Sequence, residues 1–314
     1  MLTTIMPVSL ICPTKNPVPW RDAIKAVASD IDIRVWPNDK AKADITFTLV
    51  WAQPQGIFSQ YPNLQVISSM GAGVDNLLQD NSIPSQATVV RMVDPRLVSQ
   101  MGDYVLSAVL NHVRQFPDYR QYQQQQQWQP LQPRNIDDIT VGVMGIGQIG
   151  SAVATRLSQV GFQVLGWSRR AKAVENVQVF AGQQQLSDFL AASEILVCLL
   201  PLTAETENIL NTDTLSQLPQ GAYVVNVARG SHLVEEDLLL LLNNNHLSGA
   251  CLDVFLQEPL PLEHPFWSHP KITITPHIAS LTDPVSVAPQ IVENYRRMIA
   301  GQPLLNQVDI QRGY

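Results

Sequence analysis

The sequence predicts an α/β protein built of two doubly wound parallel-sheet domains, and three observations carry that expectation. At 314 residues the chain exceeds the size at which a single hydrophobic core usually keeps growing. Short apolar, β-branched runs alternate with helical patterns almost throughout, which is the signature of parallel β-α units. The alternation falls into two series on either side of a polar, glutamine-rich segment at 123–127.

The first series predicts strands near Val8–Ile11 and at 31–36, 45–51, 64–68 and 88–93, enough for one small sheet. The opening MLTTIMPVSLICPTKNP has no basic region ahead of its short apolar stretch and reads as a first buried strand rather than a signal peptide. The glutamine run, flanked by Trp128, Pro130 and Pro133, reads as a solvated loop. The second series predicts strands at 139–145, 162–167, 194–200, 222–227, 249–254 and 271–275, with helices at 150–160 and 234–243. The leucines at 238–242 read as a core-facing helix and EILVCLLPL as a buried strand; both fall short of the roughly 20 apolar residues of a membrane span. A last helix is predicted at 290–300, followed by a polar tail, and no tandem repeat is visible.

Composition narrows the function. Hydrophobic residues make up 45% and charged residues 15%, which suits a globular protein. A formal charge of −7 and the absence of any Lys/Arg run argue against a nucleic-acid partner, so a small anionic substrate needs a local positive site. Cys12, Cys198 and Cys251 are far apart and show no metal-binding spacing; reduced thiols in a cytoplasmic protein, with no metal, are the simplest reading.

Residues 139–145 lead straight into Gly145-Ile-Gly147-Gln148-Ile149-Gly150 and then a helical pattern, giving strand, glycine turn and helix in the order a Rossmann-type dinucleotide site requires. Gly145 makes the tight turn, Gly147 admits a pyrophosphate and Gly150 lets helix pack on strand, while the helix start at Gln148 and Ile149 offers N–H groups and a positive dipole end to the phosphates. The second strand of this unit exits through Trp167-Ser168-Arg169-Arg170. An NAD-specific site places an acid there for the ribose 2′-hydroxyl. This sequence has instead a hydroxyl and two guanidinium groups, which suit the 2′-phosphate of NADPH, with NADH as the weaker donor.

Three further segments end predicted strands: Asn226-Val227-Ala228-Arg229-Gly230, Asp253-Val-Phe-Leu-Gln-Glu258-Pro and Thr275-Pro-His277. Strand ends are where open α/β sheets gather ligands, so Arg229, Glu258 and His277 are the candidate catalytic set. Arg229 can clamp a carboxylate and a neighbouring carbonyl, His277 can serve as the acid/base for a hydride transfer, and Glu258 can orient the imidazole and favour its charged form. Gly71-Ala72-Gly73 can form an anion-binding nest. Trp51, at a strand exit, either shapes a small pocket or belongs to the core.

On these residues the chain resembles the D-isomer-specific 2-hydroxyacid dehydrogenases along its whole length. NVARG, LDVFLQEPLP and TPHIAS look like that family's Arg, Glu and His signatures. Leu49-Val-Trp51, Met70-Gly-Ala-Gly-Val-Asp75, Trp167-Ser-Arg169, Phe180-Ala-Gly182, Leu199-Leu200-Pro201 and the tail Gln307-Val-Asp-Ile-Gln-Arg-Gly-Tyr314 look like segments of its glyoxylate- and hydroxypyruvate-reducing members. The resemblance implies NADPH-dependent reduction of a small 2-keto acid, a homodimer, and a dinucleotide domain at 102–283 inserted in a flavodoxin-like substrate domain made of 1–101 and 284–314, with the active cleft between them. It makes Gly71, Ala72 and Gly73 the substrate-carboxylate loop, with Trp51, Arg229 and His277 also on the substrate. It adds Leu200, Pro201, Val227, Ala228 and Asp253 to the cofactor contacts, Asp253 at the nicotinamide amide. Two other readings stand beside it: another 2-hydroxyacid dehydrogenase such as a phosphoglycerate or D-lactate enzyme, and a nucleotide-sensing binding protein without turnover. The missing acid near Ser168 and the presence of Arg229, Glu258 and His277 weigh against them.

Overall fold

The structure, a computed structural model, describes residues 6–310, 312 and 313. Gln311 and Tyr314, in the tail that carries part of the resemblance, lie outside the described residues, as do the first five residues of the opening segment. In chain order the elements are β1 (Val8–Ile11), α1 (Val18–Val27), β2 (Ile33–Val35), β3 (Phe47–Val50), β4 (Val66–Ser69), α2 (Asp75–Leu78), β5 (Thr88–Val90), α3 (Pro95–Val113) and α4 (Phe116–Gln124). They continue with β6 (Thr140–Met144), α5 (Gln148–Val160), β7 (Gln163–Ser168), β8 (Gln178–Ala181), α6 (Leu186–Ala191), β9 (Ile195–Cys198) and α7 (Thr212–Leu215). The last are β10 (Ala222–Asn226), α8 (Glu235–Asn243), β11 (Leu247–Leu252), β12 (Ile272–Ile274) and α9 (Pro284–Ile299). The chain forms two compact units, one of Met1–Leu97 with Leu281–Tyr314 and the other of Val98–Ser280.

In the first unit five parallel strands run in the order β2-β1-β3-β4-β5, the flavodoxin-like arrangement, in which the strand order reverses between β1 and β3. Strands β1, β3 and β4 are buried along their whole length because both faces are covered. Val8, Leu10, Phe47, Leu49 and Val66 pack on one side with Trp20, Ala23 and Ile24 of α1 and Val287, Ile291 and Val292 of α9. Ile11, Val50, Ile67 and Val89 pack on the other with Phe58, Tyr61 and Leu64. Helix α9 starts at Pro284, ahead of the 290–300 segment that the sequence predicts, and runs through Pro289. Asp283 caps its first turn by accepting from Val285 N–H, and proline at the first helical position costs no hydrogen bond. The bond that Pro289 removes is offset by burial of the flanking Val287, Ile291 and Val292, each side chain contributing about 1.5–3 kcal/mol.

The second unit holds seven parallel strands in the order β12-β11-β10-β9-β6-β7-β8, a Rossmann arrangement with one strand added beyond β11. Alternate residues again divide between faces. Met144, Trp167, Leu196, Cys198 and Val224 join Phe189, Leu238 and Leu242 on one side, while Val141, Val143, Val197, Val225 and Cys251 join Val105, Val109, Val153 and Leu157 on the other. Strand β8 has no counterpart in the sequence reading, because as a half-exposed edge strand it lacks the continuous apolar run that marks the buried ones. The glutamine run is a loop only from Gln125 onward, since Gln123 and Gln124 close the last turn of α4. The buried leucines of α8 are Leu238, Leu241 and Leu242, whereas Leu240 faces solvent. No helix among the described residues is long and apolar enough to cross a membrane, and none of their His, Cys, Asp or Glu residues cluster as a metal site. All three cysteines are free and buried.

One partly buried group in this unit gives a stability prediction. The His112 ring stacks on Tyr223 with centroids 4.0 Å apart, and burial, aided by the Arg134 charge, pushes its pKa down to about 4. The unfolded chain therefore takes up a proton on this imidazole near pH 6.5 while the folded one stays neutral, so stability is full above that pH and falls as the pH drops toward 4. The expected loss is up to about 3 kcal/mol between pH 7 and 4. The melting temperature of the wild type should fall relative to that of His112→Leu as the pH is lowered from 7 to 4; an identical pH slope in the two proteins would remove His112 as the cause.

Candidate active site

Every candidate residue of the second unit outside the helix start lies at or just beyond the C-terminal end of a strand in one sheet. Gly145 follows β6, Ser168 closes β7, Leu200 and Pro201 follow β9, Arg229 follows β10, Asp253 and Glu258 follow β11, and His277 follows β12. This edge includes the point between β6 and β9 where the strand order reverses, the position at which open α/β sheets bind ligands.

The glycine turn is dictated partly by the protein and partly by what it can hold. Gly145 has φ +102°, and a Cβ there would stand 2.7 Å from the Leu199 carbonyl oxygen, so the turn must be glycine for Leu199-Leu200 to pass. A Cβ on Gly150 would lie 1.9 Å from the Gly145 carbonyl oxygen, so helix α5 packs directly on the turn. Gly147 differs: its φ is −80° and a Cβ there would meet no protein atom within 4 Å. The packing of the chain itself does not require glycine at 147, whereas the close approach of a pyrophosphate to the backbone does. The first turn of α5, from Gln148, adds N–H groups with no acceptor inside the helix. The residues present therefore fit a dinucleotide.

At the end of β7, Ser168 donates its hydroxyl to the Arg170 carbonyl, and Arg169 pairs with Glu205 at 3.5 Å. Both partners of that pair are largely exposed, so the contact is weak and yields readily to a phosphate. Arg170 is exposed and makes no ion pair among the described residues. Lys172 was not singled out from sequence, yet its ammonium donates to the Ile146 carbonyl at 3.1 Å and reaches the Ser151 hydroxyl at 3.3 Å, which puts a third cation against the glycine turn. Its position two residues beyond the Arg-Arg pair is the only hint in the sequence.

Arg229, Glu258 and His277 are brought together by a chain of backbone contacts. Asn226, fully buried at the end of β10, donates to the Arg229 carbonyl at 2.9 Å and accepts from Ala228 N–H at 3.2 Å, which fixes the loop that carries Arg229. A Cβ on Gly230 would fall 1.9 Å from the Phe255 carbonyl carbon, so this loop lies directly on the one that carries Glu258. One carboxylate oxygen of Glu258 accepts from Phe255 N–H at 3.0 Å and the other meets His277 Nδ1 at 2.8 Å. Burial alone would raise the Glu258 carboxyl, but the hydrogen bonds from His277 and Phe255 and the His277 and Arg229 charges outweigh it and hold the group below the usual carboxylate range. That contribution to stability is present above the ordinary carboxylate pKa and is lost as pH falls through the lowered one.

His277 itself has φ +54°, a left-handed backbone that costs a non-glycine residue energy and persists only where the surroundings impose it. Asp253 imposes it. Its backbone carbonyl accepts from His277 N–H at 2.8 Å, and its carboxylate accepts from the Thr275 hydroxyl at 2.6 Å, Ile278 N–H at 2.8 Å and Ala279 N–H at 2.9 Å. Asp253 is only 1% exposed, so its carboxylate is engaged in positioning the histidine segment. Val227 and Ala228 are buried in the Arg229 loop, and Leu200 is buried beside the glycine turn. The Pro201 carbonyl accepts from the Thr206 hydroxyl at 2.6 Å and meets Nε2 of the buried His232 at 3.3 Å; Nδ1 of the same ring meets the Arg229 carbonyl at 3.2 Å. His232 thus ties the turn after β9 to the Arg229 loop. Nothing in the local sequence distinguishes it from any other histidine, because both of its partners lie in other segments.

In the first unit, the Trp51 ring lies against Gly71, where a Cβ would stand 2.9 Å from the indole. Gly71 N–H is satisfied by the Ser69 hydroxyl at 3.1 Å, whereas the N–H groups of Ala72 and Gly73 have no acceptor among the described residues. Trp51 is partly buried and packs against the core, so the pocket and core alternatives are both partly met in one side chain.

Comparison with known proteins agrees with this architecture. Residues 106–279 match the model of the D-isomer specific 2-hydroxyacid dehydrogenase, NAD binding domain. The chain is 41% identical to glyoxylate/hydroxypyruvate reductase A of Yersinia enterocolitica over 301 residues, covering 94% of this chain and 96% of that one. Among solved structures, a D-isomer specific 2-hydroxyacid dehydrogenase from Xanthobacter autotrophicus Py2 in complex with NADPH and MES superimposes with a TM-score of 0.95 at 40% identity, covering 99% of this chain and 100% of that one. The NADPH-dependent glyoxylate/hydroxypyruvate reductase from Sinorhizobium meliloti, in complex with NADP and sulfate, does so with a TM-score of 0.92 at 32% identity over 98% and 99%. The chain belongs to the D-isomer specific 2-hydroxyacid dehydrogenase family.

Proposed function

We propose that this protein is an NADPH-preferring reductase of small 2-keto acids, converting glyoxylate to glycolate and hydroxypyruvate to glycerate. The observation that carries the reading is the 2.8 Å bond between His277 Nδ1 and Glu258, whose loop packs on the one that bears Arg229, with all three on the same sheet edge as the glycine turn. The reductases of Yersinia enterocolitica and Sinorhizobium meliloti support the substrate class, and the NADPH and NADP complexes of two relatives support the cofactor.

Bound NADPH supplies the hydride. Gly145, Gly147, Gln148, Ile149 and Gly150 hold its pyrophosphate, Ser168, Arg169 and Arg170 its 2′-phosphate, and Leu200, Pro201, Val227 and Ala228 line the remainder. Arg229 binds the substrate carboxylate and carbonyl oxygen and stabilises the negative charge that gathers on that oxygen. With Nδ1 committed to Glu258, Nε2 of His277 gives the proton. Glu258 stabilises the imidazolium, and Asp253 sets the angle from which the ring works. The Gly71-Ala72-Gly73 loop receives the substrate carboxylate through the backbone N–H groups of Ala72 and Gly73, with Trp51 as a wall of the pocket. The unit of Val98–Ser280 is the dinucleotide-binding domain and the other unit the substrate-binding domain. The protein works as a homodimer in the cytoplasm, a compartment in which three free cysteines stay reduced.

The test is NADPH oxidation with glyoxylate, repeated with NADH. Turnover with NADPH is expected to exceed that with NADH at equal concentration. Exchanging both Arg169 and Arg170 for alanine should raise the KM for NADPH by about 10- to 100-fold, as for loss of charge-assisted hydrogen bonds, and leave the KM for NADH nearly unaltered. An unaltered KM for NADPH would remove the arginine pair from cofactor selection, and absence of any keto-acid turnover would refute the reductase.

A further inference from the structure

The first unit places a cation where its own packing gives no reason for one. Lys15 lies in the turn after β1, and Trp51 directly follows β3; these are the two neighbouring strands between which the sheet order reverses. The Lys15 ammonium stands 3.5 Å from the centroid of the Trp51 ring, and no carboxylate approaches it within ion-pair distance among the described residues. Its turn is closed by the Lys15 N–H to Cys12 carbonyl bond at 3.0 Å, and Trp51 N–H is held by the Ile11 carbonyl at 2.9 Å, so both side chains project from fixed backbone. The same indole packs on Gly71 at the start of the loop whose Ala72 and Gly73 N–H groups have no acceptor. Burial pushes the Lys15 ammonium down from its ordinary pKa, with a small opposing influence from Cys12. An aromatic face partly replaces the water the ammonium has lost but supplies no countercharge.

We propose that Lys15 forms a second anion subsite and selects 2-keto acids that carry a second carboxylate. The proposal rests on the reductase reading for the location of the first carboxylate, at the Gly71–Ala72–Gly73 nest of the same unit. The single positive charge over the indole that also packs on Gly71 then matches a single further negative charge on the substrate. The ligand class is a short 2-keto dicarboxylic acid, for which oxaloacetate is the reactive probe and malonate the unreactive one.

The experiment compares the wild type with Lys15→Met, which keeps the length and loses the charge, and Lys15→Arg, which keeps the charge. Lys15→Met is expected to lower the ratio of kcat/KM for oxaloacetate to that for glyoxylate by about 10- to 100-fold, the loss expected for one hydrogen bond to a charged group, while Lys15→Arg retains most of the ratio. Malonate binding to the NADP-loaded protein, followed by calorimetry, should weaken by a similar factor in Lys15→Met. A ratio that stays within about two-fold of the wild type, or an equal fall for both substrates, overturns the subsite; the second outcome would assign Lys15 to the first carboxylate. Malonate binding independent of Lys15 overturns it as well. A wild type that reduces neither keto acid but binds malonate through Lys15 refutes the reductase and keeps the subsite, so the two failures are distinct.

Discussion

Replacing Arg229 by alanine is expected to lower kcat/KM for glyoxylate by about 1,000-fold, the upper end of what removal of a preorganised charge-stabilising donor costs. The guanidinium carries five N–H donors in a rigid fork, of which one is directed at the Ala228 carbonyl at 2.7 Å, and a fork of this kind grips a carboxylate and its neighbouring carbonyl together. Because Asn226 holds the loop through the Arg229 main chain, truncating the side chain leaves the loop in position. The melting temperature should therefore change little, which separates a catalytic loss from unfolding. Lysine at 229 keeps the charge and loses the fork, so it should recover only part of the activity. Steady-state rates with saturating NADPH measure all three proteins, and an alanine variant within ten-fold of the wild type would exclude Arg229 as the substrate clamp.

Replacing His277 by glutamine should lower kcat by about 100-fold or more, the scale on which a positioned general acid contributes. Glutamine can still donate to Glu258 and fill much of the same space, but it has no proton to deliver. In Glu258→Gln, where the ring loses its carboxylate partner, kcat should fall by a smaller factor than in His277→Gln, because the imidazole remains but is no longer held in orientation. Near wild-type turnover in His277→Gln would assign the proton to another donor.

Much of this site could be read before any coordinates. The glycine turn, the missing acid at Ser168 and the strand-end positions of Arg229, Glu258 and His277 are local features, in which a residue type and its spacing within one segment already state the chemistry. The strands fully buried on both faces were legible for the same reason, as unbroken apolar runs. What could not be read depends on partners remote in the chain. Asp253 holds the segment 275–279, His232 spans from Arg229 to Pro201, Lys172 reaches back to Ile146, and the Arg169 contact with Glu205 joins two solvent-facing loops. Strand β8 escaped because half-exposed residues at a sheet edge carry no hydrophobic pattern, and the start of α9 because tertiary packing and the Asp283 cap carry the helix through Pro289.

The sheet order of the second unit separates two tasks by position. From β9 through β6 to β8, the connections carry the glycine turn and the three cations around it; from β10 to β12, each strand contributes one member of the Arg, Glu and His set, in the order of the chain. On the proposed function, donor preference and reaction chemistry thus occupy opposite wings of a single platform. Substitutions on the wing proposed to hold the nucleotide would then exchange one donor for another and leave the Arg, Glu and His set assembled, which would make donor choice the more evolvable of the two properties.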